Sequence, residues 1–183
     1  MMLAHCLEAA RTYRDAAKAA LAERLTTHAI DTQQRAAHGF AWIATSVAAL
    51  EAVSDWLTAN AGGSPLDQQV AHLIFAETLG QLVGGLPMGQ NELLRPSDLG
   101  VQDAARALEA ASSSVLLADH ASTRLAVAQA LAEGQSPSES FYDAELDSIR
   151  DQFRRFTQAE ILPHAHNWHL ANDLIPDATV AAM

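Results

Sequence analysis

Three histidines near the end of the sequence are the residue types best suited to bind a metal. His164, His166 and His169 lie within six residues of one another, and Glu160 precedes them. Zinc and iron accept imidazole and carboxylate ligands. On a helix, however, only His166 and His169 share a face, and Pro163 disturbs the register of His164. The spacing therefore argues against a shared metal ion.

Other metal-site patterns are missing from the sequence. A di-iron bundle needs Glu-x-x-His pairs on two helices, and neither such a pair, nor His-Glu-x-x-His, nor Cys-x-x-Cys occurs. We expect no metal ligands, and we expect histidines that are exposed or interfacial at a helix end, where a protonated ring suits the helix dipole. A metal-binding bundle stays open as a third hypothesis.

Nucleophilic catalysis would need an activated cysteine or serine. The candidates are Cys6 and the consecutive serines Ser112, Ser113 and Ser114. Cys6 falls in a first helix that we expect to be frayed, and the serines lack the G-x-S-x-G pattern of a nucleophile elbow. We expect no catalytic residues. The tryptophans are expected to be core or interface side chains rather than a cofactor site: Trp42, Trp56 and Trp168.

The segment GGLPMGQNELLRPSD, residues 84–98, is a long connection between two helical patterns. Its glycines would let backbone amides approach a ligand, but it matches neither G-x-G-x-x-G nor a Walker loop. Arg95 could bind a carboxylate or a phosphate, or simply pair with Glu92. A structural joint and a contact with a partner domain or ligand are both open. The residues that would form an interface or face a ligand are Met88, Gln90, Asn91, Glu92 and Arg95.

Composition favours helices as the elements that position these residues. Of 183 residues, 49% are hydrophobic but only 5% are aromatic. Strands are enriched in aromatic and β-branched residues, whereas alanine-rich sequences form helices. A formal charge of −11 would repel phosphate backbones and anionic lipid surfaces. We therefore predict an all-α helical bundle that binds neither nucleic acid nor membrane.

Cysteine usage and the N-terminus indicate the compartment. Cys6 is the single cysteine, so no disulfide within the chain can form, which suits a reducing environment. Charged residues from Glu8 onward interrupt any apolar signal-peptide core. We expect a cytoplasmic protein.

Apolar residues at steps of three and four predict the helices. A first stripe comprises Ile43, Val47, Leu50, Val53 and Leu57. Ser64, Pro65 and Asp67 then give a helix start, and Gly84 and Gly85 give its end. The stripe between them comprises Leu66, Val70, Leu73, Ile74 and Leu82. A third stripe follows Ser97 and comprises Val101, Ala105, Leu108, Val115 and Leu117. Asp119 and Ser122 would break or bend the run that continues to Leu131.

The polar stretch EGQSPSESFYD marks the boundary between two regions. Ser136, Pro137 and Glu139 form a capping-box pattern that predicts a helix start there. Another helical stripe follows, made of Leu146, Ile149, Phe153 and Phe156. We therefore divide the chain into residues 1–136 and 137–183, with the second region opening a helical hairpin.

The last thirty-one residues carry a family resemblance. FRRFTQAEILPHAHNWHLANDLIPDATVAAM resembles the first helices of the flavin-dependent acyl-CoA dehydrogenase family, in which a striped helix runs into an E-x-x-P-x-A-x-x-W/D turn and then a short helix opened by proline. The matching residues are Glu160, Pro163, Ala165, Trp168, Leu174, Ile175 and Pro176. This pattern concerns packing rather than catalysis.

The preceding region sharpens the resemblance. QRAAHGFAWIATSVAALEAVSDWL and GGLPMGQNELLRPSDLG look like the helical extension that precedes the catalytic core in the methylsuccinyl-CoA dehydrogenases of that family. Residues 1–30 and about 105–137 match only by position. The resemblance implies an enzyme that uses FAD to oxidise 2-methylsuccinyl-CoA to mesaconyl-CoA and passes electrons to an electron-transfer flavoprotein.

The resemblance also implies that the working parts of such an enzyme lie outside these 183 residues. The flavin-binding β domain, the CoA-contacting segments and the glutamate base of the family all come later in its chains. We therefore expect a fragment that binds no FAD by itself and serves as a docking or oligomerisation module. Its partners would be the catalytic domain or a neighbouring subunit of a homo-oligomer. The alternative is a free-standing helical interaction protein with unrelated activity.

Overall fold

The computed structural model describes residues 2–60, 62–139 and 144–183. The chain divides into two compact units, Met1–Ser138 and Glu139–Met183. We call them the bundle unit and the C-terminal unit. The predicted all-α fold is confirmed, since helices make up most of the described chain and a short two-stranded hairpin is added to them.

Two long helices open the bundle unit. Helix α1 spans Met2–Thr27 and helix α2 spans Gln34–Ala59, with a single 3-10 turn at Ile30–Thr32 between them. Small alanines on α1 let the two helices pack along their length. Arg11 Nε on α1 donates to a carboxylate oxygen of Glu51 on α2 at 2.7 Å. The α2 stripe lies as predicted, with its first three members buried and the last two half-buried.

Helix α3 spans Pro65–Gly84 and begins where the sequence predicts. The Ser64 side chain accepts a hydrogen bond from the Asp67 backbone amide, and the Asp67 carboxylate accepts one from the Ser64 amide. This reciprocal pair satisfies two amides that a helix start leaves without partners. At the other end, Gly85 adopts a φ of 146°, a conformation that favours glycine and turns the chain out of the helix.

A β-hairpin follows α3 where the sequence analysis predicts an irregular connection. Strand β1 spans Leu86–Gly89 and pairs antiparallel with strand β2, Glu92–Leu94. Three alternating side chains of the hairpin enter the core: Leu86, Met88 and Leu94. Alternation over so few residues is too short to distinguish from a loop in the sequence, so this hairpin was missed.

The next two helices complete the packed part of the bundle. Helix α4 is a single turn, Pro96–Leu99, and Gly100 ends it in the left-handed conformation. Helix α5 spans Gln102–Leu116 and packs against α1 and α3. Its predicted stripe is buried through Val115, whereas Leu117 lies beyond the helix and is 86% exposed. The prediction that Leu117 points inward is therefore wrong.

Helix α6 spans His120–Ala132 and packs against α3. Asp119 caps its start by accepting a hydrogen bond from the Ser122 amide at 3.0 Å. The run of apolar residues is therefore broken at Asp119 rather than bent. None of the residues of α6 is buried.

The core of the bundle unit is continuous and densely filled. Its largest fully buried side chains come from α1, α2, α3 and α5: Tyr13, Ile43, Leu50, Phe75, Leu79 and Leu108. Burial raises the pKa of Tyr13 to about 12. Cys6 is 1% exposed and belongs to this core. The expectation of a frayed first helix around Cys6 is therefore wrong, because α1 begins at Met2 and packs from its first turns.

The C-terminal unit consists of helices with little buried surface. Helix α7 spans Ala144–Phe156, a π-helical turn follows at Thr157–Ile161, helix α8 spans Leu162–Ala171 and helix α9 spans Asp177–Ala182. The wide turn precedes Pro163, which lacks an amide hydrogen and whose ring would collide with the carbonyl four residues back in a regular helix. None of the described residues of this unit is buried.

The segment before the C-terminal unit differs from the prediction. Ser136, Pro137, Ser138 and Glu139 are not helical, so the predicted capping box does not start a helix there. The following helix, α7, begins at Ala144, and residues 140–143 lie outside the described part of the chain. The structural division falls after Ser138, whereas the sequence analysis places it after residue 136.

Among the residues that the structure describes, one helix meets the length and composition of a membrane span. Helix α2 is long and apolar enough by these two criteria. Core helices of globular bundles meet the same criteria, and α2 places Ile43, Val47 and Leu50 in the core of this bundle.

Candidate functional site

The hairpin places the five predicted interface residues in two different environments. Met88 is only 7% exposed and packs in the core, so its side chain is not available to a partner. The other four are exposed, and Gln90 and Asn91 form the tip of the hairpin between the strands. A docking role for this loop would therefore involve Gln90, Asn91, Glu92 and Arg95 alone.

Arg35 on α2 fixes the hairpin against the bundle. Its Nη2 donates to the backbone carbonyl of Leu93 at 2.8 Å. Its guanidinium also lies 3.4 Å from the Glu92 carboxylate and 3.3 Å from the Asp98 carboxylate. Glu92 thus pairs with Arg35, not with Arg95 as the sequence analysis considered. These exposed ion pairs position the loop more than they stabilise it.

Asp98 joins the hairpin to α4. Its carboxylate accepts a hydrogen bond from the Arg95 backbone amide at 2.8 Å. That bond, together with Arg35, lowers the pKa of Asp98 below its usual value. The Arg95 side chain extends along a shallow depression of about 270 Å³, which Ser97, Gln102 and Arg106 also line. The depression is open to solvent and contains polar groups, as expected of the rim of an interface.

Asp67 forms a second feature, which ties the end of the bundle unit to its interior. Its carboxylate is fully buried. It accepts hydrogen bonds from the Ser138 backbone amide at 2.7 Å and from the Ser138 hydroxyl at 2.6 Å, in addition to the one from Ser64. The Trp56 indole donates to the Ser138 carbonyl at 2.9 Å. Two hydrogen bonds therefore join Ser138 directly to Asp67, and Trp56 adds a third bond to Ser138.

The electrostatics of Asp67 explain how a buried carboxylate stays charged. Burial by itself raises the pKa of a carboxyl group, but hydrogen bonds from Ser138 and Ser64 outweigh it and lower the pKa of Asp67 from 3.8 to about 2. Hydrogen bonds to an ionised acceptor are stronger than those between neutral groups. The joint is therefore made of charge-assisted bonds.

A pair of histidines lies between α3 and α6. The rings of His72 and His120 are 5.9 Å apart. Burial, followed by the nearby charge of His120, lowers the pKa of His72. His120 Nε2 donates to the Val115 carbonyl at 2.8 Å, and Arg124 donates to Glu77 at 2.7 Å. These contacts fix α6 against α3 and the end of α5.

The three histidines considered as metal ligands lie on α8, at the surface. His164, His166 and His169 are all exposed, and the His164 ring packs 5.6 Å from the Trp168 ring. Within the described ranges, no three histidine, cysteine or acidic side chains cluster closely enough to hold a metal ion. These three histidines are therefore exposed side chains on the surface of α8.

The candidate nucleophiles lie on two helices of the bundle unit, the serines on α5 and Cys6 on α1. Ser112 is fully buried in α5, and its hydroxyl has no hydrogen-bond partner among the described residues. Cys6 lies in the core. The side chains of Ser112 and Cys6 are therefore not accessible to a substrate, whereas Ser113 and Ser114 are exposed on the surface of α5.

Apolar side chains are exposed along the C-terminal unit. On α7 they are the predicted stripe residues Leu146, Ile149 and Phe153, each between 44% and 53% exposed, while Phe156 is half-buried. Phe153 and Phe156 line a shallow depression of about 180 Å³ with Gln152 and Met183. A helix this amphipathic is typical of one that packs against another element.

Two features escaped the sequence analysis. Asp67 was recognised as a helix cap, but its link to Ser138 joins residues 71 positions apart, and no local pattern encodes such a pairing. The contact between His72 and His120 is likewise long-range. The exposed side of α6 did have a local signal in the sequence, because LAVAQALA, residues 125–132, contains a single polar residue, Gln129. Helix α3 packs against only one side of this segment.

A characterised relative is similar to most of the chain. The (2S)-methylsuccinyl-CoA dehydrogenase of Cereibacter sphaeroides is 34% identical over 184 aligned residues, which cover 92% of this chain and 33% of the relative. The chain thus spans about a third of the relative's length. The resemblance to acyl-CoA dehydrogenases of this type is confirmed. No protein-family model and no solved structure matches the sequence.

Proposed function

We propose, from the similarity to a methylsuccinyl-CoA dehydrogenase, that this chain is the N-terminal part of an FAD-dependent enzyme oxidising 2-methylsuccinyl-CoA to mesaconyl-CoA. The observation that carries the proposal is identity of 34% over 92% of the chain. Identity spread over both units is expected if both belong to one enzyme. The bundle unit would be an N-terminal extension, and the C-terminal unit would begin the catalytic core.

The core of the bundle unit leaves no room for a flavin ring. The interior of the bundle unit is filled by side chains such as Tyr13, Phe75 and Leu50, each at most 2% exposed. An isoalloxazine ring would have to displace them. We therefore assign FAD binding, the base that removes the α-proton and the contacts to CoA to sequence outside this chain.

The role of the present chain is then docking or oligomer assembly. Exposed apolar residues on α7, such as Leu146, Ile149 and Phe153, support this role, because an amphipathic helix is stabilised when its apolar face is covered. The partner would be the catalytic domain or a neighbouring subunit of a homo-oligomer. Electrons from the flavin would pass to an electron-transfer flavoprotein. The buried, unpaired Cys6 is consistent with a cytoplasmic location.

The test is the complete polypeptide encoded by the gene. We expect it to purify as a yellow flavoprotein and to reduce an artificial electron acceptor when 2-methylsuccinyl-CoA is added. The 183-residue chain, prepared in parallel, should be colourless and inactive. A complete polypeptide without flavin, or with flavin but no oxidation of this thioester, would contradict the proposal. A reading frame that ends at Met183 would favour the free-standing interaction protein.

A further inference from the structure

Helix α6 has a second apolar side that no other described element of the bundle unit covers. Its inner side faces α3, and there Val127 is half-buried. Its outer side carries Leu125 at 60% exposure and Leu131 at 50%. The other exposed residues of α6 are Ala121, Ser122, Arg124, Ala128, Gln129 and Ala132. The segment 125–132 is thus apolar on its outer side as well as on the side that faces α3. A helical segment that is apolar on both sides is normally covered on both.

The outer side of α6 carries one charged residue, Arg124, and is otherwise uncharged. Between Leu125 and Ala132 the single polar residue is Gln129, although the whole chain has 18% charged residues. The charged neighbour, Arg124, is already paired with Glu77. Depletion of charge is what distinguishes the centre of an interface from its rim. The exposed part of the hairpin region, with the charged residues Glu92 and Arg95, has the opposite character.

The surface is held rigid before any partner binds. Asp119 caps α6, His120 bonds to the Val115 carbonyl, and Arg124 bonds to Glu77. A rigid surface loses little entropy on binding. These contacts therefore prepare α6 as a docking element.

The size of the surface decides between possible occupants. Helix α6 has 13 residues and is about 20 Å long, so at a width of about 10 Å its outer side presents on the order of 200 Å². A stable interface between separate molecules buries about 800 Å² on each partner. A second copy docking through α6 alone would be too weakly bound. A partner on the same polypeptide has an effective concentration in the millimolar range, at which a small contact suffices.

We propose that the outer side of α6, centred on Leu125 and Leu131, docks the catalytic body encoded after Met183. This inference rests on the proposed function, in which the remaining two-thirds of the relative's length has a counterpart in this protein. It moves the docking centre from the hairpin to α6. The exposed hairpin residues would then lie at the rim of the contact or outside it.

Hydroxyl-radical footprinting of the 183-residue chain and of the complete polypeptide tests the inference. Leu125 and Leu131 should be labelled in the chain and labelled several-fold less in the complete polypeptide. Ile30, 54% exposed in the same unit, is the internal control and should be labelled equally in both. Equal labelling of Leu125 and Leu131 in the two proteins would overturn the inference. Protection that appears in the 183-residue chain as its concentration rises would assign the surface to a second copy and overturn it as well.

A pair of variants supplies an independent measurement. Leu125→Ser with Leu131→Ser should lower the melting temperature of the complete polypeptide and leave that of the 183-residue chain unchanged. Met2→Ser with Ile30→Ser is the matched control and should change neither protein. Flavin content and oxidation of 2-methylsuccinyl-CoA, measured on the same unmodified preparation, report on the proposed function separately. Docking without activity, and activity without docking, are therefore distinguishable results.

Discussion

The two units differ in what their apolar residues contact. In the bundle unit the stripes of α1, α2, α3 and α5 meet in one core, where Phe75, Leu79 and Val47 are fully buried. In the C-terminal unit the stripe of α7 is at least as regular, yet Phe153 is 53% exposed. The same helical periodicity therefore leads to burial in one unit and exposure in the other. Periodicity specifies which side of a helix is apolar, and the partner must come from elsewhere in the chain.

The largest effect is expected when a buried phenylalanine of the bundle unit is truncated. Truncating an exposed phenylalanine of the C-terminal unit gives the comparison. Phe75→Ala should destabilise the bundle unit by about 3–5 kcal/mol, because a large cavity remains in a packed core. Phe153→Ala should change the stability of the 183-residue chain by no more than about 0.5 kcal/mol, because its side chain is already half in solvent. Urea unfolding followed by far-ultraviolet circular dichroism measures both.

The contrast fails if the two substitutions cost the same. A large cost for Phe153→Ala in the isolated chain would mean that the C-terminal unit buries this ring in solution. In the complete polypeptide the proposed function predicts a different result for the same substitution. There Phe153→Ala should lower the free energy of unfolding by about 3 kcal/mol or more, because the ring is covered. Comparing one variant in two proteins therefore sharpens the difference between covered and uncovered apolar surface.

The next effect concerns the joint that closes the bundle unit. Asp67→Ala should cost about 2 kcal/mol, since the amides of Ser64 and Ser138 lose their acceptor in a buried site. The folded-state pKa of Asp67 is about 2, below its ordinary 3.8. The stabilisation is therefore fully present above about pH 4 and is lost as the pH falls from 3.8 toward 2. Melting temperatures of wild type and variant across this range provide the measurement.

Asp55→Asn, at an exposed position of α2, is the matched control for this prediction. It should leave the pH dependence of wild-type stability unchanged, whereas Asp67→Asn should flatten it between pH 3.8 and 2. If wild type and Asp67→Asn lose stability in parallel over that range, the carboxylate is not the group that titrates. The hydrogen bonds from Ser138 would then contribute through geometry rather than charge.

Local signals in the sequence were sufficient for most of the helices. The cap at Ser64 and the glycine at Gly85 mark the ends of α3, because both act through residues within one turn. The π-helical turn before Pro163 follows from the same local chemistry. The all-α fold was thus predictable from patterns that span a few residues.

The features that define candidate sites depend on distant residues and were not predictable. The hairpin is held in place by Arg35, which donates a hydrogen bond to the backbone carbonyl of Leu93. Leu93 lies 58 positions later in the chain. Met88 appeared to be a surface candidate and is a core residue, because the hairpin folds inward over Gly39 and its neighbours. Ser136 and Glu139 had the form of a helix cap, but the neighbouring Ser138 bonds to Asp67 instead. In each case a tertiary contact outweighed a local preference.

The last comparison concerns two helical glycines of the bundle unit and includes the smallest expected effect. One glycine lies against a packed side chain, and the other lies beside an open depression. A Cβ at Gly39 on α2 would lie 2.5 Å from Cδ1 of Leu94, a side chain that is itself only 2% exposed. Gly39→Ala should therefore cost about 1–3 kcal/mol through overpacking. A Cβ at Gly80 on α3 would meet nothing closer than Leu116 at 4.0 Å, beside an open depression next to α6. Gly80→Ala should stabilise by about 0.4–1 kcal/mol.

The two substitutions add the same methyl group to the same kind of helix, so the propensity gain is common to both and packing alone separates them. Opposite signs in urea unfolding would show that Gly39 is required by the close approach of β2. Stabilisation by both would mean that Leu94 can move aside at little cost and that the hairpin is loosely attached. In that case Leu94→Ala should also be mild, well below the 2–5 kcal/mol that a buried leucine normally costs on truncation.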